Sequence, residues 1–330
     1  MKVVLQSGYG NPAAVLRVVD LPAEAPAADE VVVRMEAAAM HIADLRTITG
    51  EDVAFRYPLP RTPGFEGIGR IVRVGSAVTD HRVGDRVFPA LGSGSFREEV
   101  CCKATGCLPA PTSGDALQLS LLTVNGPTAE VLLEDFADLK SGDWLIQNAA
   151  NSSCGRYLIR LARLKGVRTV SVVRRAEMVE ELRELGGDVV LVDGPGLPQQ
   201  VAAAVGGAPV KLGIDAVAGA ATQRIAECLA PGSTIACYGA MSEQRCEIDF
   251  YLMFRKDIRL LGVSFVRQFQ LRRTPQQVRA MYARLAGLMA RGELVAKIAG
   301  VYALDHVVEA CAHAARSGAE RDGKVILKMS

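Results

Sequence analysis

The chain has 330 residues, a length that suffices for about two domains. Of these residues 49% are apolar and 22% are charged, a composition that excludes the disordered and collagen-like classes of protein. Its 38 basic and 36 acidic residues give a formal net charge of +2, too small for the overall field of most nucleic-acid-binding proteins. The eight cysteines form no dense disulfide framework, no stretch of about eighteen apolar residues is present, and the first residues resemble neither a signal peptide nor a transit peptide. We therefore expect a cytoplasmic protein without a membrane span.

Up to about residue 110 the chain alternates short β-branched runs with turns rich in Gly, Pro and Asp. The runs lie at residues 31–35, 67–74 and 85–89, and the turns include Thr62-Pro63-Gly64. This spacing predicts an antiparallel barrel or sandwich.

From Trp144 the pattern changes to strand-like apolar runs that alternate with amphipathic stretches of helical length. This alternation predicts crossover helices between parallel strands, and therefore a doubly wound sheet. The predicted strands are 144–149, 169–173, 189–192, 212–217, 233–237 and 259–262, and the predicted helices are 154–165, 177–185, 199–205 and 221–229. A long helix at 275–291, a short helix at 305–316 and a strand at 325–328 complete the prediction.

The first strand of this alternating region runs into small and polar residues at the start of a helix: Asn151, Ser152, Ser153, Cys154 and Gly155. Backbone N–H groups and the positive end of the helix could approach a pyrophosphate there. The G-x-G-x-x-G fingerprint is absent, and the same residues could serve only as a helix cap, with Asn151 or Ser152 as the N-cap residue.

Two arginines, Arg174 and Arg175, follow the second predicted strand, about 20 residues after Gly155. A dinucleotide-binding fold places the residue that selects the adenosine ribose at this point. An acid there binds the 2′-hydroxyl of NAD, whereas arginine forms bidentate, charge-assisted bonds to the 2′-phosphate of NADP. The two arginines therefore favour NADPH, and a solvated basic pair at a strand end is the alternative.

Several motifs occur together along the chain. They are PGFEGIG at 63–69, VGDRV at 83–87, LTVNGPTA at 122–129, GDWLIQNAANS at 142–152 and GSTIACYGAM at 232–241. With these motifs the chain resembles the medium-chain dehydrogenase/reductase superfamily. Within it, the chain is most similar to the zinc-independent branch of quinone oxidoreductases and NADPH-dependent trans-2-enoyl thioester reductases.

The resemblance implies an α/β fold in which a Rossmann domain, residues 123–262, is inserted in a GroES-like β-barrel catalytic domain. That catalytic domain would comprise residues 1–122 and be completed by residues 263–330. The resemblance also implies further NADPH contacts from Asn125, Tyr238, Gly239, Ala240, Met241, Val263, Ser264, Phe265 and Lys324. Tyr238 and Phe265 could equally be core aromatic residues, and Lys324 a surface charge. Relatives commonly pair through the nucleotide domain, so a homodimer is expected.

Zinc-containing members of this superfamily hold a catalytic metal with a Cys, a His-Glu pair and a further Cys. This chain has Gly64-Phe65-Glu66 where they have Gly-His-Glu, and it lacks their first Cys near Ala43-Asp44. Cys101, Cys102 and Cys107 lie near the start of the structural zinc lobe but lack its four evenly spaced ligands. We therefore expect no bound metal.

Without a metal to polarise a carbonyl, the expected reaction is reduction of an activated carbon–carbon double bond, with hydride to the β-carbon and a proton to the α-carbon. The similar enoyl reductases supply this proton from a Tyr. The matching position here is Asp52, which as an exposed carboxyl is a poor donor at neutral pH. Tyr57, five residues later, is the alternative donor. His41 stands where relatives have Asn; it could orient the substrate or donate a proton, or it could only bond to backbone.

The leading prediction is an NADPH-dependent reductase of 2-enoyl thioesters or related enones, and two other functions stay open. One is an NADPH quinone oxidoreductase. The other is a non-catalytic nucleotide- or RNA-binding protein, because the basic and aromatic stretch 267–273 could bind single-stranded nucleic acid. Through Arg272 and Arg273 that stretch could instead hold the phosphates of coenzyme A, or it could be a solvated connection.

Overall fold

The computed structural model describes residues 1–51 and 56–329, and the chain divides into two compact units. The first unit comprises Met1–Val124 with Arg279–Ser330, and the second comprises Asn125–Val278. The second unit therefore extends past residue 262, where the sequence analysis ended the Rossmann domain. Within this unit, Arg273 forms two hydrogen bonds of 2.7 and 2.8 Å with the carboxylate of Asp135.

The first unit is built on a long central strand, β3, whose apolar residues are buried. Its sheet has the order β14-β15-β3-β4-β5-β7, β6 also pairs with β3, and β1 and β2 form a separate antiparallel pair. The N-terminal elements are β1 Lys2–Gln6, α1 Pro12–Val15, β2 Leu16–Asp20, β3 Glu30–Met40, α2 Ile42–Thr49, β4 Glu66–Val74, β5 Arg86–Phe88, β6 Glu99–Lys103, β7 Leu108–Pro109, α3 Ala116–Leu119 and α4 Leu122–Glu134.

The second unit is a six-stranded parallel sheet with its helices in the crossover connections. Its strand order, β10-β9-β8-β11-β12-β13, is the 3-2-1-4-5-6 order of a dinucleotide-binding fold, which confirms the predicted doubly wound sheet. The elements are β8 Trp144–Gln147, α5 Ser153–Leu164, β9 Arg168–Val173, α6 Met178–Glu184, β10 Val189–Val192, α7 Leu197–Ala204, β11 Val210–Asp215, α8 Ala220–Cys228, β12 Thr234–Cys237, α9 Phe250–Lys256, β13 Arg259–Gly262 and α10 Phe265–Arg272.

The C-terminal elements return the chain to the first unit. They are α11 Pro275–Ala290, β14 Ile298–Ala303, α12 Val307–Ala315 and β15 Lys324–Lys328. Strand β15 pairs antiparallel with β3 and parallel with β14, and one face of α12 packs into the same apolar core as β3. In the described part of the chain, no helix combines the length and hydropathy that crossing a bilayer requires.

Candidate active site and cofactor site

The loop between β8 and α5 presents backbone N–H groups at the carboxyl end of a central strand. Ser152 is the N-cap residue of α5, and its Oγ accepts a hydrogen bond of 3.1 Å from the N–H of Gly155. A Cβ at Gly155 would lie 2.6 Å from the carbonyl oxygen of Ala150, so only glycine allows helix and loop to approach this closely. Both interpretations of this segment are therefore compatible: the helix is capped, and its N-terminus lies at the edge where such folds bind a pyrophosphate.

A buried hydrogen-bond network joins the ends of β8 and β11. The Nδ2 of Asn148 donates to Asp215 Oδ1 at 2.6 Å, and the Oδ1 of Asn148 accepts from the backbone N–H of Ala216 at 2.8 Å. Asp215 also accepts from the Oγ1 of Thr222 at 2.6 Å and from the backbone N–H groups of Val217 and Ala218. Neither Asn148 nor Asp215 was among the site residues predicted from the sequence, although polar residues at the ends of adjacent parallel strands are a signal for such an edge.

Tyr238 follows β12 directly and lies at the same edge. Its backbone N–H donates to the carbonyl of Asp215 at 2.9 Å, and its phenol hydrogen-bonds with the side chains of Cys154 and Ser152. Burial and the adjacent Cys154 thiol raise the pKa of Tyr238 well above its usual range. The structure therefore brings the predicted segments 151–155 and 238–241 together.

The remaining predicted cofactor residues of the second unit lie at several places. Val263, directly after β13, donates its N–H to the carbonyl of Cys237 at 2.7 Å; Ser264 is exposed and Phe265 begins α10. Asn125 is buried in α4. The basic stretch 267–273, for which no helix was predicted, is largely α10, and Arg273 is held by Asp135 rather than left for a coenzyme A phosphate.

Arg174 and Arg175 come directly after β9, at the carboxyl edge of the sheet. Arg174 is exposed, whereas Arg175 is half-buried. The guanidinium of Arg175 pairs with the Glu177 carboxylate at 3.4 Å and contacts the Met178 sulfur at 3.3 Å. An anion that binds to both arginines must therefore compete with Glu177 for Arg175.

In the first unit, His41 caps α2 through a reciprocal capping box. Its Nδ1 accepts a hydrogen bond of 3.2 Å from the N–H of Ala43, and the Oδ2 of Asp44 accepts one of 2.7 Å from the N–H of His41. Burial, reinforced by the positive charges of Lys324 and Arg321, lowers the pKa of His41 well below its usual range. The ring is therefore neutral at neutral pH, and because Nδ1 is the acceptor, the proton is on Nε2.

Two buried carboxyl groups, Glu66 and Asp44, lie near His41. The Oε2 of Glu66 accepts from the Oγ1 of Thr123 at 3.2 Å and the N–H of Val124 at 3.0 Å, while Oε1 has no partner among the described residues. Burial raises the pKa of Glu66 to about 7, an effect opposed by the positive charge of Lys324. Burial also raises the pKa of Asp44 to about 7, and the charge of Glu66 adds to this effect.

Tyr57 is half-buried in the connection between α2 and β4. The guanidinium of Arg61 lies 4.5 Å from the centre of its ring, and the phenol of Tyr9 donates to its carbonyl oxygen at 2.6 Å. Arg61 is itself held by the side chains of Gln6 and Thr47, each at 2.9 Å.

The predicted residues Tyr57, His41 and Lys324 therefore belong to one electrostatic network. Tyr57 and Asp44 interact electrostatically with Arg61 and act to raise its pKa. Lys324 interacts electrostatically with Glu66 and acts to lower its pKa. Arg61, Asp44 and Glu66, which link these residues, were not among the site residues predicted from the sequence. Asp44 follows His41 by three residues, which is the spacing of a capping box, and this spacing is a local sequence signal that could have identified Asp44. The third catalytic candidate, Asp52, lies outside the described residues.

The two raised carboxyl pKa values predict a pH dependence of stability. The unfolded chain releases these protons near the ordinary values of 4.5 for Glu66 and 3.8 for Asp44, whereas the folded chain keeps them up to about pH 7. The free energy of unfolding is therefore expected to fall as pH rises from about 4 to about 7. For Glu66 alone the expected decrease is on the order of 3 kcal/mol, at about 1.4 kcal/mol per pKa unit.

Urea unfolding of the native protein and of Glu66→Gln at pH 5 and pH 8 measures this effect. The variant should lose the Glu66 contribution, and Glu184→Gln, which changes an exposed glutamate, should retain it. An identical pH dependence in the native protein and Glu66→Gln would mean that Glu66 ionises at its ordinary pKa.

Comparison with known proteins gives matches along nearly the whole chain. The family described as alcohol dehydrogenase GroES-like domain matches residues 27–112, and the family described as zinc-binding dehydrogenase matches residues 154–286. The mitochondrial enoyl-[acyl-carrier-protein] reductase of Caenorhabditis elegans is 35% identical over 303 residues, which cover 88% of this chain and 85% of that protein. The human mitochondrial enoyl-[acyl-carrier-protein] reductase is 30% identical, with 90% and 80% covered.

Solved structures agree with these sequence matches. A mycobacterial quinone oxidoreductase is 26% identical with a TM-score of 0.86, and 99% of each chain is covered. A mycobacterial protein in complex with NADPH is 25% identical with a TM-score of 0.83, and 99% of this chain and 100% of that chain are covered. The curated relatives are mitochondrial reductases, so the cytoplasmic location predicted from the sequence is wrong.

The residues present do not fit a catalytic zinc, despite the name of the second family. Phe65 offers no donor atom where a ligand is needed, and one oxygen of Glu66 is already engaged by Thr123 and Val124. The sulfur atoms of Cys102 and Cys107 lie 3.5 Å apart, but among the described residues these two belong to no group of three or more possible metal ligands. Together with the matched families and relatives, these observations establish that the chain is an oxidoreductase of the medium-chain dehydrogenase/reductase superfamily, in the zinc-independent branch of enoyl thioester reductases and quinone oxidoreductases.

Proposed function

We propose that the chain is an NADPH-dependent reductase of 2-enoyl thioesters that works without zinc. The observation that carries the proposal is the 35% identity to an enoyl-[acyl-carrier-protein] reductase across 88% of the chain. Two features of the structure support it. The second unit has the sheet of a dinucleotide-binding fold with Arg174 and Arg175 after β9, and in the first unit His41 is a neutral hydrogen-bonding group while Phe65 offers no metal ligand.

NADPH, when bound, supplies the hydride. We assign its pyrophosphate to the N-terminus of α5 at 151–155 and its 2′-phosphate to Arg174 and Arg175. The residues 238–241 line the nucleotide. Asn125, Val263, Ser264, Phe265 and Lys324 complete the proposed contacts.

His41 and Tyr57 are the proposed catalytic residues of the first unit. Hydride addition to the β-carbon moves the electron pair of the double bond onto the thioester oxygen and forms an enolate. The Nε2–H of neutral His41 donates a hydrogen bond to this oxygen. The enolate then takes a proton at its α-carbon from the phenol of Tyr57, and the guanidinium of Arg61, 4.5 Å from the ring centre, stabilises the phenolate that remains.

The first test of this function is the initial rate of NADPH oxidation with trans-2-enoyl-CoA esters, the same acyl groups on acyl carrier protein, simple enones and quinones in one buffer. Saturable turnover of the thioesters supports the proposal. Turnover of quinones alone would instead identify an NADPH quinone oxidoreductase, a candidate favoured by the 26% identity to the mycobacterial enzyme. No oxidation with any acceptor would contradict both functions.

We also propose that two copies of the chain pair through the second unit. Strand β13 is the last strand in the order of the parallel sheet, and three of its four residues are exposed. In the preceding helix α9 the aromatic side chains of Phe250, Tyr251 and Phe254 are 63%, 65% and 73% exposed. We expect this exposed sheet edge and the exposed aromatic rings of the preceding helix to pair with a second copy across a two-fold axis.

Replacing Phe250 and Phe254 together by Glu is expected to convert the dimer to a monomer, because two charges would have to be buried at the interface. Light scattering should change from twice the chain mass of 35.1 kDa to one chain mass. Leu164→Glu, which changes another exposed apolar residue of the second unit, is the control and should remain a dimer. A native protein of one chain mass would refute the pairing.

A further inference from the structure

Cys237 and Cys246 form a close thiol pair at the carboxyl edge of the parallel sheet. Their sulfur atoms are 3.8 Å apart, and the Cys237 thiol also donates towards the Oδ2 of Asp215 at 3.9 Å. Cys246 is exposed and Cys237 is half-buried. The pair therefore combines the sulfur of an exposed residue with that of a half-buried one.

Backbone hydrogen bonds hold both cysteines in place. Cys237 ends β12, where it pairs with Asp215 of β11 and with Gly262 of β13. Cys246 is held through its neighbours, because Gly219 donates to the carbonyl of Arg245 and accepts from the N–H of Glu247. The contact between the two sulfurs is thus set by backbone pairing on both sides.

A bound metal ion is a poor explanation of this cluster. Asp215, Cys237 and Cys246 are the group of possible metal ligands found among the described residues, but both oxygens of the Asp215 carboxylate already accept hydrogen bonds. Its Oδ1 accepts from Asn148, Val217 and Ala218, and its Oδ2 accepts from Thr222. An ion would have to displace these donors, so sulfur chemistry between the two thiols is favoured.

We propose that Cys237 and Cys246 are a reversible oxidation site, which a hydroperoxide or a small disulfide closes to an intramolecular disulfide that weakens NADPH binding. The second half of this inference rests on the proposed NADPH site. With hydrogen peroxide, the Cys246 sulfur attacks one peroxide oxygen and becomes a sulfenic acid, and water leaves. The Cys237 sulfur then attacks the sulfenic sulfur, and a second water leaves. Two thiols and one peroxide thus give one disulfide and two waters, and excess thiol reverses the reaction.

The environment of each sulfur matches these roles. Burial and the Asp215 carboxylate raise the pKa of Cys237, which keeps this residue a thiol, so the exposed Cys246 is the one that meets the oxidant. The Asp215 oxygen that faces Cys237 can take up its proton during the second step. The other close thiol pair, Cys102 and Cys107, is buried on both sides.

The disulfide would act on the nucleotide site through the loop that it closes. A disulfide bond is about 2.05 Å long, so the sulfurs must approach each other by roughly 1.8 Å. Cys237 is itself paired with strands on both sides, whereas Cys246 is held through the backbone of its neighbours, so we expect the loop that carries Cys246 to make most of this movement. That loop includes Tyr238–Met241, the segment proposed to line the nucleotide.

Peptide mass analysis after treatment of the protein with hydrogen peroxide tests the site without using enzyme activity. We expect a cross-link between the peptides of Cys237 and Cys246, reversed by dithiothreitol, with Cys102 and Cys107 still reduced. Cys246→Ser should abolish the cross-link, and Cys228→Ser, which removes another half-buried thiol of the second unit, should keep it. A cross-link at Cys102 and Cys107 instead, or over-oxidation of Cys246 without a cross-link, would overturn the inference.

NADPH titration of the reduced and the oxidised protein tests the coupling. The dissociation constant should rise roughly tenfold on oxidation, within the ~5–150-fold range of coupled sites, and NADPH should shift the thiol–disulfide equilibrium with glutathione towards the thiols by the same factor. Equal NADPH affinity in the two states would overturn the coupling. Failure of the reduced protein to bind NADPH would instead refute the proposed cofactor, a separate result from the peptide analysis.

Discussion

Tyr57→Phe is expected to lower kcat for a 2-enoyl thioester by about 10²–10⁴-fold, the usual contribution of a general acid. The substitution removes only the phenolic oxygen. The position of the ring should persist, because the Tyr57 carbonyl is held by Tyr9 and the ring stacks on Arg61. The Kd for NADPH should stay at the native value, since the proposed cofactor contacts do not include this residue.

The matched control for this prediction is Tyr302→Phe, which removes another half-buried phenol of the first unit, one that pairs with His313 at 2.9 Å. This variant should retain the native kcat. A native kcat in Tyr57→Phe would show that the α-carbon receives its proton from another group. His41→Asn, which keeps a hydrogen-bonding side chain at the cap of α2, would then separate a role in enolate binding from a role in helix capping.

Replacing Arg174 and Arg175 together by Ala is expected to raise the Kd for NADPH by two orders of magnitude or more and to leave the Kd for NADH nearly unchanged. A hydrogen bond to a charged group contributes about 1.5–3 kcal/mol, and each 1.4 kcal/mol is tenfold in affinity. The single variants should differ. Arg174 is exposed, whereas Arg175 is shared with Glu177, so Arg174→Ala should have the larger effect.

Fluorescence titration with both nucleotides measures this selectivity. Arg168→Ala is the control, because Arg168 begins the same strand β9 and lies over the ring of Trp144 at 5.5 Å. It should bind both nucleotides as the native protein does. Equal losses for NADPH and NADH in the double variant would exclude recognition of the 2′-phosphate by these arginines.

Local pattern was sufficient for most of the second unit. Apolar runs with a strand-like length and helices with an amphipathic face occur where β8–β13 and α5–α8 lie, because burial on a parallel sheet imposes those patterns on consecutive residues. The spacing from Gly155 to Arg174 is likewise local, since one strand and one helix separate two ends of the same sheet edge. The sequence by itself therefore determined the fold class, and the residues of the proposed pyrophosphate and 2′-phosphate contacts lie, as predicted, after β8 and β9 of the parallel sheet.

The buried polar network of the first unit was decided only by the tertiary structure. Glu66, Asp44 and Lys324 lie near one another because β4 and β15 pair with opposite sides of β3. The register of these pairs places Ala39 beside Glu66 and Met40 beside Val325. Their pKa values follow from burial by segments distant in sequence, which no local pattern records. The contact between Cys237 and Cys246 and the attachment of Arg273 to Asp135 have the same origin. The periodicity of apolar residues in the sequence predicts whether a residue is buried. Which charged group lies next to that residue depends on how segments distant in sequence pair in the folded chain.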